Sequence, residues 1–270
     1  MNESEFNLHS PLPDIFPAAW VKATNDPDFM GFRNLDHFRH YVSKLTQKSD
    51  ESCDMKYEAA LKMLLNGTSD FPEEEQASIR NLVRSNLHKR GLITEEVYEN
   101  YRYTTDGTAV GFDVGKFAAG EPDCVITPTH QYIDFFHELY VSISYPYHVT
   151  NKTIRNNTAK LLATVEELER QHIFIKISLI LPIKGASHDG DFFSYIPLFS
   201  HKDAKSVNTM SAVVNDRLLR KFYFAILEDL YKEKLGSGYG RAVDLDYCMN
   251  VGDAFNEIEF FENIVQIVGA

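Results

Sequence analysis

The nine residues from Ile173 to Leu181, IFIKISLIL, constrain this chain more than any other stretch. A short run dense in isoleucine and leucine reads as a strand buried in the middle of a sheet. Upstream, Leu139, Val141 and Ile143 alternate with Tyr140, Ser142 and Ser144, the period of a second strand. Between the two, Ile154, Leu161, Leu162, Val165 and Leu168 recur at helical spacing, which predicts a helix over 153–171. Strand, helix and strand with a connection of that length form a right-handed parallel crossover. The second half of the chain is therefore committed to an α/β sheet.

The flanking sequence extends this unit. Phe193 to Phe199 reads as a third strand. Asp216 caps a helix whose inner side carries Leu218, Leu219, Phe222, Ala225, Ile226 and Leu230, stopping at Gly236. Ala242 to Met249 reads as a fourth strand and Ala254 to Val268 as a last helix. Ile143, Ile175, Ile177, Leu179, Leu162, Val165 and Phe222 are the expected core. The first third is mostly helical: a stripe of Leu35, Phe38, Val42 and Leu45 predicts a helix over 35–47, and two more follow, stopped by Gly67 and Gly91. Thr94, Glu95 and Glu96 start one further turn, while residues 1–32, broken by four prolines, read as irregular. Glycines at 107, 111, 115 and 120, with short β-like runs at Ala109–Val114 and Cys124–Thr127, bridge the halves. The expected fold class is α/β: a helical N-terminal region, 1–104, packed on a C-terminal three-layer α/β sandwich, 105–270, with a mainly parallel sheet.

Composition narrows the function classes. With 44% hydrophobic and 24% charged residues the chain has material for a core, which excludes disorder for most of its length. Lys and Arg total 27 against 39 Asp and Glu, a net charge of −12. That sign opposes nucleic acid and anionic membrane. The longest apolar run, Ile173 to Ile183, is interrupted by Lys176, Ser178 and Pro182, short of the ~20 residues a membrane span needs. The opening MNESEFNLHSP has no basic or apolar leader pattern. Cys53, Cys124 and Cys248 are far apart and without C-x-x-C spacing, as expected of reduced thiols in a cytoplasm.

Three stretches of the second half resemble an uncharacterised domain family encoded mainly by tailed bacteriophages and prophages. They are Phe112-Asp113-Val114 with Ala119-Gly120-Glu121-Pro122-Asp123-Cys124, then the unit from Leu139 to Leu181, then Asp216-Arg217-Leu218-Leu219-Arg220-Lys221-Phe222-Tyr223-Phe224 with Glu228 and the turn Tyr239-Gly240-Arg241. In strand–helix order that family is similar to a von Willebrand A-type sandwich. The resemblance implies a fold and a phage origin, hence a host-cell cytoplasm, but no reaction.

Several constellations invite chemistry. A metal-binding von Willebrand A domain places D-x-S-x-S at the end of its first strand, since an acid and two hydroxyls suit a hard cation. Here Ser142 and Ser144 share a strand face, but Tyr140 stands where the acid belongs, so no metal and no cofactor is expected. The two serines read as a half-exposed strand face and as candidate binding residues. His130, Asp134 and His137, the turn His188-Asp189-Gly190-Asp191, and the acids Asp244, Asp246, Asp253, Glu257, Glu259 and Glu262 would serve a metal-dependent hydrolase or nuclease. Each also fits surface or turn chemistry. Gly236-Ser237-Gly238-Tyr239-Gly240 follows a helix rather than a strand, the wrong context for a phosphate loop. Arg217, Arg220 and Lys221 place three cations at a helix start, against its dipole. They are the candidate contacts for an acidic protein partner or a second subunit. The expected function is a protein-interaction module; the alternatives are the hydrolase and a virion or assembly component.

Overall fold

The computed structural model describes residues 28–45, 56–67, 71–93, 101–104, 111–122, 124–128, 135–146, 148–184, 192–231, 241–242, 245 and 248–269. In chain order the elements are β1 (Asp28–Gly31), α1 (Leu35–Ser43), α2 (Tyr57–Asn66), α3 (Glu73–Lys89), β2 (Tyr101–Thr104), β3 (Gly111–Phe112), α4 (Val114–Ala118), β4 (Val125–Pro128) and β5 (Phe135–Ser142). Then come α5 (Asn151–Glu169), β6 (Ile173–Lys184), β7 (Phe192–Phe199), α6 (Val207–Val213), α7 (Asp216–Tyr231), β8 (Arg241–Ala242), β9 (Met249–Asn250) and α8 (Glu257–Gly269).

The main sheet runs β1-β7-β6-β5-β9. Its centre is the expected crossover: β5 and β6 pair in parallel from Phe135↔Ile173 to Ser142↔Ile180, with α5 between them in sequence. β9 also lies parallel to β5, and β1 parallel to β7, whereas β6 and β7 are antiparallel. The protein is thus α/β with a mixed, mostly parallel sheet. A separate small antiparallel sheet, β2-β4-β3, covers part of the glycine-rich bridge.

Side-chain alternation divides the main sheet into two faces. Ile173, Ile175, Ile177, Leu179, Leu181 and Ile183 point to the first face, joined there by Met30, Val141 and Ile196. Helices α1–α3 and α5–α8 all send apolar side chains into this one cluster, among them Phe38, Leu64, Leu87, Leu161, Met210, Phe222 and Phe261. All seven expected core residues belong to it. The second face holds a smaller cluster of Phe29, Ile180, Phe193 and Leu245, to which no described helix contributes. The helical layer expected on that side therefore has no counterpart among the described residues.

Four elements were not legible in the pattern: β1, β2, the short α4, and α6, whose N-cap Ser206 accepts from the Thr209 amide at 3.3 Å. The strand expected from Ala242 to Met249 is instead two two-residue pieces. β8 pairs with β6 at Ile183 and Lys184, beyond the end of β5, while β9 lies on the far side of β5. Leu245, between them in sequence, belongs to the second-face cluster with Ile180 and Phe193. The expected helical turn at 94–96 lies outside the described residues, as does residues 1–27 of the irregular start.

The C-terminal end of β5 is knitted into this body. The Asn157 amide of α5 donates to the Val251 carbonyl at 2.9 Å and the Asp253 carbonyl at 2.7 Å. Gly252, between them, sits where an added Cβ would lie 2.7 Å from Cδ1 of Tyr145, so only glycine lets the turn close on that ring.

Candidate functional site

On the second face, even-numbered residues of β5 and β6 lie side by side: Phe136 with Phe174, Glu138 with Lys176, Tyr140 with Ser178, Ser142 with Ile180. The face grades along the strands from exposed aromatic, through polar, to buried apolar. At the polar centre a single carboxylate oxygen, Oε1 of Glu138, accepts from Ser178 Oγ at 2.5 Å and from Tyr195 Oη at 2.8 Å. Lys176 Nζ lies 3.0 Å from the same oxygen and donates to Tyr195 Oη at 3.1 Å. β5, β6 and β7 thus each supply part of one network, whose ion pair stays about a quarter exposed (27% for Glu138, 29% for Lys176).

The electrostatics of this network favour a fixed charge. Burial pushes the Glu138 carboxyl up, but the bonds from Ser178, Lys176 and Tyr195 outweigh it and hold the group below its ordinary value. Burial, and the Glu138 charge after it, push the Tyr140 phenol up to about 12. Tyr195 is likewise raised, first by burial. Burial lowers Lys176, yet its bonds to Tyr195 and Glu138 win and raise it. Every group moves away from neutral pH, the reverse of what proton transfer at that pH requires. Ser178 is fully enclosed, so it is no accessible nucleophile.

A pH dependence follows. Because the folded Glu138 pKa lies below the unfolded one, near 4.5, the unfolded chain binds the proton more readily. The network's stability is present above that value and is lost as pH falls through the folded pKa. Thermal melting from pH 7 to pH 3 should show a steeper acid fall for the wild type than for Glu138→Gln. Parallel curves would remove Glu138 from the acid limb.

At the open end, Phe136 is 58% exposed and stacks on Phe174, with centroids 5.7 Å apart and planes at 24°. His201 meets the same ring edge-on at 5.1 Å, and its Nε2 lies 3.2 Å from the His137 carbonyl.

The residues singled out from sequence fall elsewhere. Ser142 and Ser144 are not half-exposed but buried, 2% and 4% accessible, because β9 and the Asn157 contacts close over the end of β5. The Ser144 carbonyl instead faces the Asn250 amide at 3.5 Å. Lys221 is fully buried. It shares the inward stripe of α7 with Leu218, Phe222 and Ala225, so helical phase removes it from the reach of an external partner. The side chains of Arg217 and Arg220 lie outside the described residues, as do His130, Asp134, the 188–191 turn, the 236–240 run, Asp244 and Asp246. His137 lies in β5, and Glu257 accepts from Asn86 at 3.2 Å. Among the described residues no three His, Cys, Asp or Glu side chains gather to hold a metal ion, and no helix is long and apolar enough to cross a membrane.

Sequence reading passed over Glu138, Lys176, Ser178 and Tyr195. The available signal is their phase: Glu138 and Tyr140 alternate with Leu139 and Val141, and Lys176 and Ser178 alternate with Ile175, Ile177 and Leu179. In-phase parallel pairing sets Glu138 beside Lys176.

No curated protein and no solved structure matches the chain. The family model for a domain of unknown function, DUF7192, matches residues 19–262, from before β1 into α8. The crossover, the second face and every helix but the end of α8 lie within those bounds, and the chain therefore belongs to the DUF7192 family.

Proposed function

We propose that this chain is a protein-interaction module that engages its partner, a second protein or another copy of itself, through the second face of its main sheet. The observation that carries this reading is Phe136, a large aromatic side chain more than half exposed on a face to which no described helix contributes packing. Its ring is held in place by Phe174 and His201, so its ordering is already met before a partner arrives. Aromatic side chains are enriched at the centres of interfaces, where they act as anchors. The shifted titrations of Glu138, Tyr140 and Tyr195 support a static surface over a proton-transfer site.

The resemblance of Phe112–Cys124, Leu139–Leu181 and Asp216–Phe224 supports a phage origin and a host-cell cytoplasm as the place of action. The succession β5, α5, β6 supports a von Willebrand A-like order for the sheet. No observation favours the hydrolase.

The test compares tagged wild-type chain with Phe136→Asp, capturing proteins from infected or expressing cells and measuring self-association by sedimentation. The expected result is a partner or a dimer retained by the wild type and lost from the variant, at equal melting temperature. Capture and sedimentation unchanged by Phe136→Asp would remove the second face from the function.

A further inference from the structure

A cavity of about 280 Å³ opens between α3, α5 and the start of α6, away from the second face. It is close to the low end of ligand pockets, which run from about 300 Å³ upward. Its hollow has a local cause. Ala159 and Ala163, one turn apart on α5, are both buried and too short to fill the space that α3 leaves.

The walls are charged in both senses. Arg80 of α3 reaches Glu166 of α5 through Nε at 2.8 Å, both side chains being more than a third exposed. Lys205 pairs with Glu169, and its side chain is 6% exposed. Two cations and two carboxylates therefore line one small space with an apolar floor. A simple anion would meet the carboxylates, a simple cation would meet Arg80 and Lys205, and an apolar molecule would strip water from all four. A molecule carrying both charges on one carbon, with an aliphatic tail, satisfies every wall. An exposed pair such as Arg80–Glu166 contributes little by itself. The guanidinium, with five donors, can accept a ligand carboxylate without large loss.

We propose that this cavity is a binding site for a free aliphatic α-amino acid. The carboxylate lies toward Arg80 and Lys205, the ammonium toward Glu166 and Glu169, and the side chain on Ala159 and Ala163.

The experiment follows the alanine methyl signals of the full chain by NMR while L-leucine, its decarboxylated analogue 3-methylbutylamine, and its deaminated analogue 4-methylpentanoate are added separately. L-leucine is expected to shift the Ala159 and Ala163 methyls saturably. Each analogue should bind at least about tenfold more weakly, a loss of about 1.4 kcal/mol. Arg80→Gln, at a half-exposed position, should weaken L-leucine while leaving the weak binding of 3-methylbutylamine unchanged. Ala163→Leu fills the floor and should abolish the shifts. No shift by L-leucine at about 20 mM, weaker than even low-millimolar affinity, would show a solvent-filled gap and overturn the proposal. So would equal binding of all three compounds, or an Arg80→Gln effect of the same size on L-leucine and on the amine.

Discussion

Ile177→Ala is expected to lower the unfolding free energy by about 2–5 kcal/mol. Ile177 is fully inaccessible and stands at the middle of β6, opposite Leu139 of β5 on one side and Phe199 of β7 on the other. Its side chain points into the large cluster that seven helices share. Truncation there leaves a void that both neighbouring strands and the helical layer would have to collapse to fill, and β6 is held on both edges. Urea unfolding measures the effect: the midpoint should fall with the slope unchanged. A loss below about 1 kcal/mol, the range of a surface change, would mean that β6 is not the central strand.

Asn157→Ala is expected to cost about 2–4 kcal/mol, because two backbone carbonyls lose their donor at once. The amide ties α5 to the turn after β9 through Val251 and Asp253. Those bonds close the end of β5 over Ser142 and Ser144. Asn157→Asp separates the contributions: it keeps the shape and removes the donors. Urea unfolding of both variants is the check, with hydrogen exchange at residues 251–253 as the local readout. If Asn157→Asp retained wild-type stability, the two bonds would contribute nothing and the turn would be held by packing alone.

The crossover was legible in the sequence because buried parallel strands and the helix between them carry strong, distinct periods. Ile173–Leu181 and the Ile154–Leu168 stripe left no competing reading. β1 was not legible: four residues, DFMG, carry too few positions for a period, and their partner lies more than 160 residues away. The fourth strand was misread because Ala242–Met249 carries strand-like composition, yet its ends are claimed by β6 and β5 separately. The charge of Lys221 suggests an outward cation, whereas its place in the α7 stripe, countable in the sequence, turns it inward. The polar network was hidden for a different reason. Glu138, Lys176, Ser178 and Tyr195 come from three strands, and only the register brings them to one oxygen.

The pairing of β1 with β7 bears on solubility. Without its four outer residues, β7 would present unpaired amides and carbonyls over Phe192–Tyr195, an apolar and aromatic edge of the kind that recruits strands from other molecules. β1 turns that edge into a very short one and leads straight into the cap of α1 at Asn34, whose side chain accepts from the His37 amide. Deleting residues 28–31 would therefore open that edge to strands of other molecules. Because the partner strand of β1 is made more than 160 residues later, this pairing can form only once synthesis has passed β7.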